Sequence, residues 1–360
     1  METLSAINTP AIAIIILNYN GWKDTIECLE SVFHIHYPRY QVVVCDAGST
    51  DQSLKHIIDW ADGKVQNSWE EGNPLRSLVW PPFTKPIPYK ILQPTSNRSD
   101  NKSYDTHPLI LIEIGTNLGF GGGNNVGLRY VLDQDTFNYV WILNNDTVVH
   151  PNSLDELVAR SRKFTNLGLC GSTIFYYFHP EEIQTMGGNT YNKWLAVSKV
   201  IRPKKSIMDI NKIDENDIEL RMDMVHGSAM FASVPMIRDV GLLNEEYFLF
   251  SEEIDWAARM RGKYALGYAA KSIVYHKRGH STGNLVDPME RSLQSDYYNI
   301  RSRILFTKKF YPWFLPIVFL GLFGVIFNRL RRKQYDRAKM IFQLMFSHLF
   351  RQEINSKVSI

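Results

Sequence analysis

Residues 139–147 read YVWILNNDT, an apolar run that stops at two amides and a carboxylate. Val140, Trp141, Ile142 and Leu143 are β-branched, aromatic and aliphatic residues that suit a strand covered on both faces. Asn144, Asn145 and Asp146 then fall where the strand leaves the sheet. In open α/β sheets, ligands bind at that carboxyl edge. A carboxylate there, flanked by neutral oxygen donors, suits a hard divalent cation carrying a diphosphate. A polar turn leading into a helix cap is the competing reading of the same three residues.

The pattern of a buried strand closing in a polar turn occurs twice upstream. Ala11–Leu17 ends in Asn18-Tyr19-Asn20-Gly21, and Ile26, Leu29 and Phe33 follow at helical spacing. Gln41–Cys45 ends in Asp46-Ala47-Gly48-Ser49-Thr50-Asp51, and a second helix runs to about Asp62. This is the βαβ rhythm of a nucleotide-binding half-sheet. Residues 63–108, rich in Pro, Ser and Asn, interrupt it and read as an insertion or long surface loop. Leu109–Ile114 resumes as a strand. It is followed by GTNLGFGGGNNVGL (115–128), expected to be a glycine-rich loop that lets backbone approach a ligand, with Asn124 and Asn125 at a helix start. The dinucleotide fingerprint GxGxxG is not met: counted from Gly119 its last position is Asn124, and counted from Gly121 it is Val126.

Downstream of the opening stretch, a helix is expected from Asn152 to Phe164 and a strand from Leu167 to Tyr177. Residues 178–225 are mixed, and Val225–Val234 places small residues in a strand-like setting. Residues 241–262 read GLLNEEYFLFSEEIDWAARMRG. Glu252, Glu253 and Asp255 open a helix whose later turns carry Arg259 and Arg261. That polarity suits the helix dipole, so capping is one reading of these acids. A short strand, Ser272–Tyr275, leads into His276 and then Lys277-Arg278-Gly279-His280-Ser281.

The chain has 360 residues, enough to bury a large core in one or two domains. Cys28, Cys45 and Cys170 are far apart and form no CxxC, so reduced thiols in a cytosolic protein are expected, with no zinc site. Met1–Pro10 lacks the basic start of a signal peptide, and AIAIIIL is better read as the first strand. The net charge of +3 matters less than its distribution: residues 301–340 hold ten Lys or Arg and one acid, Asp336, around the apolar run PWFLPIVFLGLFGVIF (312–327). That run is shorter than the ~20 residues of a spanning helix and contains Pro316. Basic flanks and interfacial aromatics fit a helix lying on an anionic leaflet; a buried core helix is the alternative. Nucleic-acid binding is not expected, because the basic residues flank an apolar segment rather than exposed stacking aromatics.

Six ordered motifs, LNYNGW (17–22), CDAGSTD (45–51), NLGFGGGNNVG (117–127), ILNNDT (142–147), GLLNEEYFLFSEEID (241–255) and HKRGHS (276–281), together resemble inverting glycosyltransferases of the GT-A fold, family 2, in a rhamnosyltransferase-like branch. The resemblance covers roughly residues 11–310 apart from the insertion. It implies an α/β fold with a central mixed sheet flanked by helices, a transferase domain over 11–290, and a membrane-associated helical region over 291–360. It implies that Asn18, Asn20 and Asp46 cradle the nucleoside, with Asp51 either touching the ligand or capping a helix. Asn117, Gly119, Asn124 and Asn125 would line the donor site with Asn144 and Asn145. The family's Asp-x-Asp stands here as Asn144-Asn145-Asp146, leaving Asp146 as the main ligand of Mg²⁺ or Mn²⁺. His276 would be a further ligand, ahead of His280. The general base would be Glu253, with Asp255 as the fallback. The implied partners are a nucleotide-sugar donor (dTDP-L-rhamnose first, a UDP-hexose second), a lipid-linked or glycan acceptor, and the cytoplasmic face of the membrane; a homodimer is compatible with the chain. A nucleotidyltransferase would show a basic glycine-rich loop after the first strand, where only Lys23 is found. A non-catalytic sugar-nucleotide binder is the other alternative.

Overall fold

A computed structural model describes residues 9–65, 72–93, 105–202, 210–277 and 292–350. Its centre is a ten-stranded sheet in the order β3-β4-β2-β1-β5-β12-β7-β13-β6, with β8 paired to β7. The first strands are β1 (Ile12–Asn18), β2 (Tyr40–Asp46), β3 (Tyr89–Leu92), β4 (Leu109–Glu113) and β5 (Tyr139–Asn144), all parallel. Then come β6 (Thr147–Val149), β7 (Leu167–Tyr176), β8 (Ile183–Met186), β12 (Ala229–Ser233) and β13 (Ala265–His276). β12 runs antiparallel to both β5 and β7, and β6 antiparallel to β13. A second sheet joins β9 (Gly188–Asn192), β10 (Val197–Val200) and β11 (Met224–Val225).

Alternation along β1 sorts its side chains to two helical layers. Ile12, Ile14 and Ile16 join one buried cluster with Ile26, Leu29 and Val32 of α1 (Trp22–Phe33) and Ile57 and Trp60 of α2 (Ser53–Ala61). Ala13 and Ile15 join another with Leu128 and Val131 of a long helix beyond β4. Because both faces are covered, β1, β2 and β5 are continuous apolar runs. The strand order reverses between β1 and β5, so Asn18 and Asn144 end neighbouring strands at the crevice where open α/β sheets bind ligands.

Three expectations are corrected. Within 63–108, the described residues 72–93 are not only loop: they supply α3 (Arg76–Val79) and β3, which extends the sheet by pairing with β4. Ile87, Val79 and Leu75 anchor this segment in buried positions. The glycine-rich stretch is not a loop after residue 118; it is the first half of α4 (Gly119–Gln134). The apolar tail is also longer as a helix than expected. After a 3₁₀ turn, α10 spans Leu315–Arg331, with Pro316 harmless in its first turn; the run Pro312–Arg331 is long and apolar enough to cross a membrane by length and composition. α9 (Leu293–Phe310) precedes it and α11 (Tyr335–Phe350) follows.

The glycines of α4 permit close contact. A β-carbon on Gly123 would meet a Leu17 methyl at 2.4 Å, and one on Gly119 would meet the Phe248 carbonyl oxygen at 2.3 Å. Gly119 also has a φ of +75°, and Phe120 N donates to Phe248 O at 2.7 Å. Replacing Gly119 by Ala is expected to cost roughly 2–4 kcal/mol from left-handed backbone strain and overlap; a urea melt with an unchanged midpoint would refute this.

Candidate active site

The turn after β1 is locked to the turn after β2. Asn18 Nδ2 donates to Asp46 Oδ1 at 2.6 Å, and Ser49 Oγ donates to the same oxygen at 2.6 Å. Ser49 N donates to Asp46 Oδ2 at 3.1 Å. Asn20, with φ of 50°, accepts from Thr50 N at 2.7 Å. Asp51 caps the next helix, accepting from Ser53 N at 3.0 Å. The pair Asn18–Asp46 is thus buried and rigid at the floor of the crevice, with Asn20 next to it, exposed to solvent.

The residues after β5 separate into different roles. Asn145 is buried and donates to Thr25 Oγ1 at 3.1 Å. Thr25 Oγ1 in turn donates to Asn18 Oδ1 at 2.7 Å. A β-carbon on Gly21 would lie 2.7 Å from Asn145 Nδ2, so the close approach requires glycine. Asn145 therefore braces the two strand ends, whereas Asn144 is half-exposed at the edge. The α4 residues expected to line the donor site also have partners within the protein. Asn117 accepts from Gly119 N at 2.9 Å and caps the helix. Asn125 is buried, donating to Leu243 O at 2.9 Å and to Glu245 at 2.8 Å. Asn124 is buried and donates to Phe120 O at 2.9 Å. Asn125 thus fixes α4 to the segment that leads to Glu252, whereas Asn117 and Asn124 bond within the helix and its entry, because an amide enclosed by backbone must satisfy that backbone first.

Asp146 and His276 do come together. Asp146 Oδ1 lies 3.4 Å from His276 Nε2, and both residues are buried. His276 Nδ1 lies 3.2 Å from Gln184 Oε1. With Nδ1 donating to that amide oxygen, Nε2 turns its lone pair toward the carboxylate. Two electron-pair donors face each other across a gap close to the ~3 Å between adjacent ligands of an octahedral ion. The donor set therefore fits a divalent cation. Among the described residues, no group of three or more His, Cys, Asp or Glu stands together as a metal site, so Asp146 and His276 are the two ligand-type side chains placed at this point.

The segment after His276 is pinned. Lys277 N donates to Asp146 O at 3.0 Å, and Lys277 Nζ pairs with Asp24 at 2.6 Å and with Glu27 of α1. Burial alone would lower the Lys277 ammonium, but the two carboxylates raise it instead. His280 lies outside the described residues. Gln184 was not singled out by the sequence, being one amide in the unassigned region 178–225. Gln184→Leu is expected to weaken Mn²⁺ binding in the presence of a nucleoside diphosphate by about 10- to 100-fold, because the histidine loses its tautomer and aim. Titration calorimetry giving wild-type affinity would contradict this.

Across the crevice, α8 (Glu252–Met260) carries the acidic pair. Its entry is strained: Phe248, Phe250 and Ser251 have φ of 64°, 68° and 72°. Glu252 is buried against Gly121, and its Oε1 has no hydrogen-bond partner among the described residues. Burial and the neighbouring Glu253 push its carboxyl well above the ordinary range. Glu253 is half-buried, and desolvation raises its proton affinity as well. A β-carbon on Gly227 would lie 3.7 Å from Glu253 Cδ. The adjoining His226 ring is centred 6.0 Å from that of His276, and Ser228 O accepts from Asn144 N at 3.0 Å. The His226-Gly227-Ser228 stretch thus runs from the metal-type pair to Glu253. The sequence reading missed it; its one signal was a lone histidine in a run of small residues.

Asp255 is unsuited to proton abstraction. It is fully buried and accepts from Arg259 Nε at 2.5 Å, Lys309 Nζ at 2.7 Å and Tyr247 OH at 3.0 Å. Three donors occupy its oxygens, so it ties α8 to α9. The cysteines are no nucleophiles either: all three are free and buried, and burial pushes the thiols of Cys28 and Cys45 up to about 12.

A family model described as Glycosyl transferase family 2 matches residues 13–70 and 97–217. The low-salt glycan biosynthesis hexosyltransferase Agl10 of Haloferax volcanii is 28% identical over 172 residues, 46% of this chain and 51% of that protein. The chain therefore spans about half the length of this curated relative. Among solved structures, the mannosyltransferase PcManGT of Pyrobaculum calidifontis, in complex with GDP-Man and Mn²⁺, superposes with a TM-score of 0.50 at 12% identity, over 96% of this chain and 88% of that one. GalNAc-T7 with UDP, GalNAc and Mn²⁺ gives 0.52 at 12% identity, over 82% and 48%. At such identity the structures share the fold, a central mixed sheet of the GT-A type. With six ordered motifs, that fold and the family match in agreement, the chain belongs to glycosyl transferase family 2.

Proposed function

We propose that the protein transfers a sugar from a nucleotide-diphosphate donor to an acceptor hydroxyl with inversion of configuration. The observation that carries this reading is the Asp146–His276 pair at the strand-order reversal, linked by His226-Gly227-Ser228 to the desolvated Glu253. The nucleoside rests on the rigid Asn18–Asp46 floor. Asp146 and His276 would hold a divalent cation, Mg²⁺ or Mn²⁺, which would offset the charge growing on the departing diphosphate. The nucleotides and Mn²⁺ named with both solved neighbours agree with this. Glu253 accepts the proton of the acceptor hydroxyl as that oxygen attacks the anomeric carbon from the face opposite the diphosphate. Its raised proton affinity suits a base working near neutral pH. One displacement completes the reaction, with no covalent sugar–enzyme species.

dTDP-L-rhamnose and a UDP-hexose are the proposed donors, and a lipid-linked glycan at the cytoplasmic leaflet the proposed acceptor class. Residues 11–290 are proposed as the transferase domain and 291–360 as its membrane-associated region. The test is donor turnover by purified protein against a panel of nucleotide sugars, with and without Mn²⁺. Metal-dependent turnover of one donor is expected. Nucleotide-sugar binding without turnover of any donor would replace this reading with that of a non-catalytic binder.

A further inference from the structure

Beyond the crevice, the largest unexplained feature is an apolar surface shared by two separate elements. The inward face of α10 is accounted for: Val318, Phe319 and Leu322 are buried with Ile300 and Ile304 of α9 and Ile341 of α11. The opposite face is not. Leu320, Phe323, Phe327 and Leu330 recur at spacings of three and four and are 69%, 48%, 64% and 44% exposed, and Trp313 at the helix entry is 91% exposed. Phe342 and Phe346 of α11 are exposed too. A helix apolar on all sides is buried or in contact with lipid. The second element is the β9–β10 hairpin, whose tip presents Trp194, Leu195 and Val197 to solvent. The tip is fastened to the helices. Ala196 is buried in their core, Trp194 meets Phe314 with ring centroids 4.3 Å apart, and Arg303 donates to Leu195 O.

Two further observations decide what covers this surface and how. First, α10 is clamped along α9. Buried Asp296 of α9 accepts from Arg329 at 2.7 Å and from Arg337 at 2.7 Å. A spanning α10 would break that clamp and leave a buried carboxylate with no cation. Second, Arg331, Arg332, Lys333 and Lys339 are exposed around the apolar stripe, and Lys193 sits beside the hairpin tip. Interfacial tryptophans with basic neighbours match an anionic lipid surface.

The geometry points to the hairpin tip and the outward face of α10 forming a single platform that docks flat on an anionic bilayer, placing the crevice beside the leaflet. The platform is continuous with the catalytic machinery: Tyr191 of β9 packs with Met224, Tyr247, Ile254 of α8 and Phe306 of α9. Ser302 Oγ donates to Leu249 O at 2.9 Å, directly ahead of Glu253. A lipid-linked acceptor held by the bilayer thus arrives on the Glu253 side. This last step rests on the transferase reading; the docking does not.

The test uses the full chain, co-sedimented with vesicles of phosphatidylcholine alone or mixed with phosphatidylglycerol. Binding is expected on the mixed vesicles, weakening with salt and released by alkaline carbonate. The double variant Trp194→Ser/Leu195→Ser should lower the bound fraction about tenfold, as should Trp313→Ser, while donor hydrolysis in solution stays at the wild-type rate. Unchanged binding by the hairpin variant, or resistance to carbonate, would overturn the flat two-element platform. So would a dimer in light scattering that ignores vesicles, since a second copy would then be the cover. Hydrolysis lost while vesicle binding persists would count against the transferase reading alone.

Discussion

Glu253→Gln is expected to cut the transfer rate by about 10²- to 10⁴-fold, the usual contribution of a positioned general base, while the protein stays folded. The side chain keeps its size and loses only its ability to take a proton. Folding should not suffer, and the sign follows from linkage. Desolvation raises the folded-state value of Glu253 above its unfolded one, so its charged form opposes folding. That penalty is present at neutral pH and is relieved as pH falls through the raised value toward the ordinary ~4.3. Glu252, more deeply buried, follows the same rule. Both Gln variants should therefore melt no lower than wild type at neutral pH and lose any advantage in acid. Activity runs the other way: the wild-type rate falls as acid protonates Glu253, with the limb lying above the ordinary glutamate range. Initial rates across pH together with thermal melts test all of this. Wild-type-like transfer by Glu253→Gln would remove the residue from the mechanism.

Asp146→Asn should be as severe, lowering transfer by roughly 10³-fold or more, since a Lewis-acid site supplies several kcal/mol of charge stabilisation. Asparagine keeps the shape and removes the one carboxylate that faces His276 Nε2. In wild type, with one carboxylate and one imidazole, Mn²⁺ should bind weakly until a nucleoside diphosphate adds its oxygens. Calorimetry should then show that affinity rising sharply with the nucleotide present, and falling again in Asp146→Asn. Tight Mn²⁺ binding to the nucleotide-free protein would contradict the two-donor site.

The strands that carry the crevice were legible because their sequences obey one rule. Ile12–Ile16, Val42–Val44 and Val140–Leu143 are covered on both faces and therefore read as unbroken apolar runs. The order Asp46, Asp146, Glu253, His276 followed from the motifs after those elements. Residues 115–128 were misread for a physical reason. Glycine disfavours helix by about 1 kcal/mol per residue, so five glycines between 119 and 127 argue locally for a loop. Tertiary contact overrides that preference, because Leu17 and Phe248 leave no room for β-carbons. The partners of Asn125 and Asn145 were not legible because an amide's partner cannot be inferred from its type; theirs lie 118 and 120 residues away. Gln184 and His226 were invisible for the same reason, as single polar residues whose meaning depends on which strand end faces them.

The ion pair between Lys309 and Asp255 has a bearing on how the chain folds. Lys309 belongs to α9 and Asp255 to the helix that presents Glu253, and the carboxylate is fully buried. The lysine that completes the set of donors on this buried carboxylate lies 54 residues downstream in the chain. Cutting the polypeptide after the sheet would thus remove one of the three donors on Asp255 and leave Arg259 and Tyr247 to hold it. The helices beyond residue 292 are in this sense part of one cooperative unit with the crevice, and denaturation should proceed as a single transition rather than with an early loss of the tail.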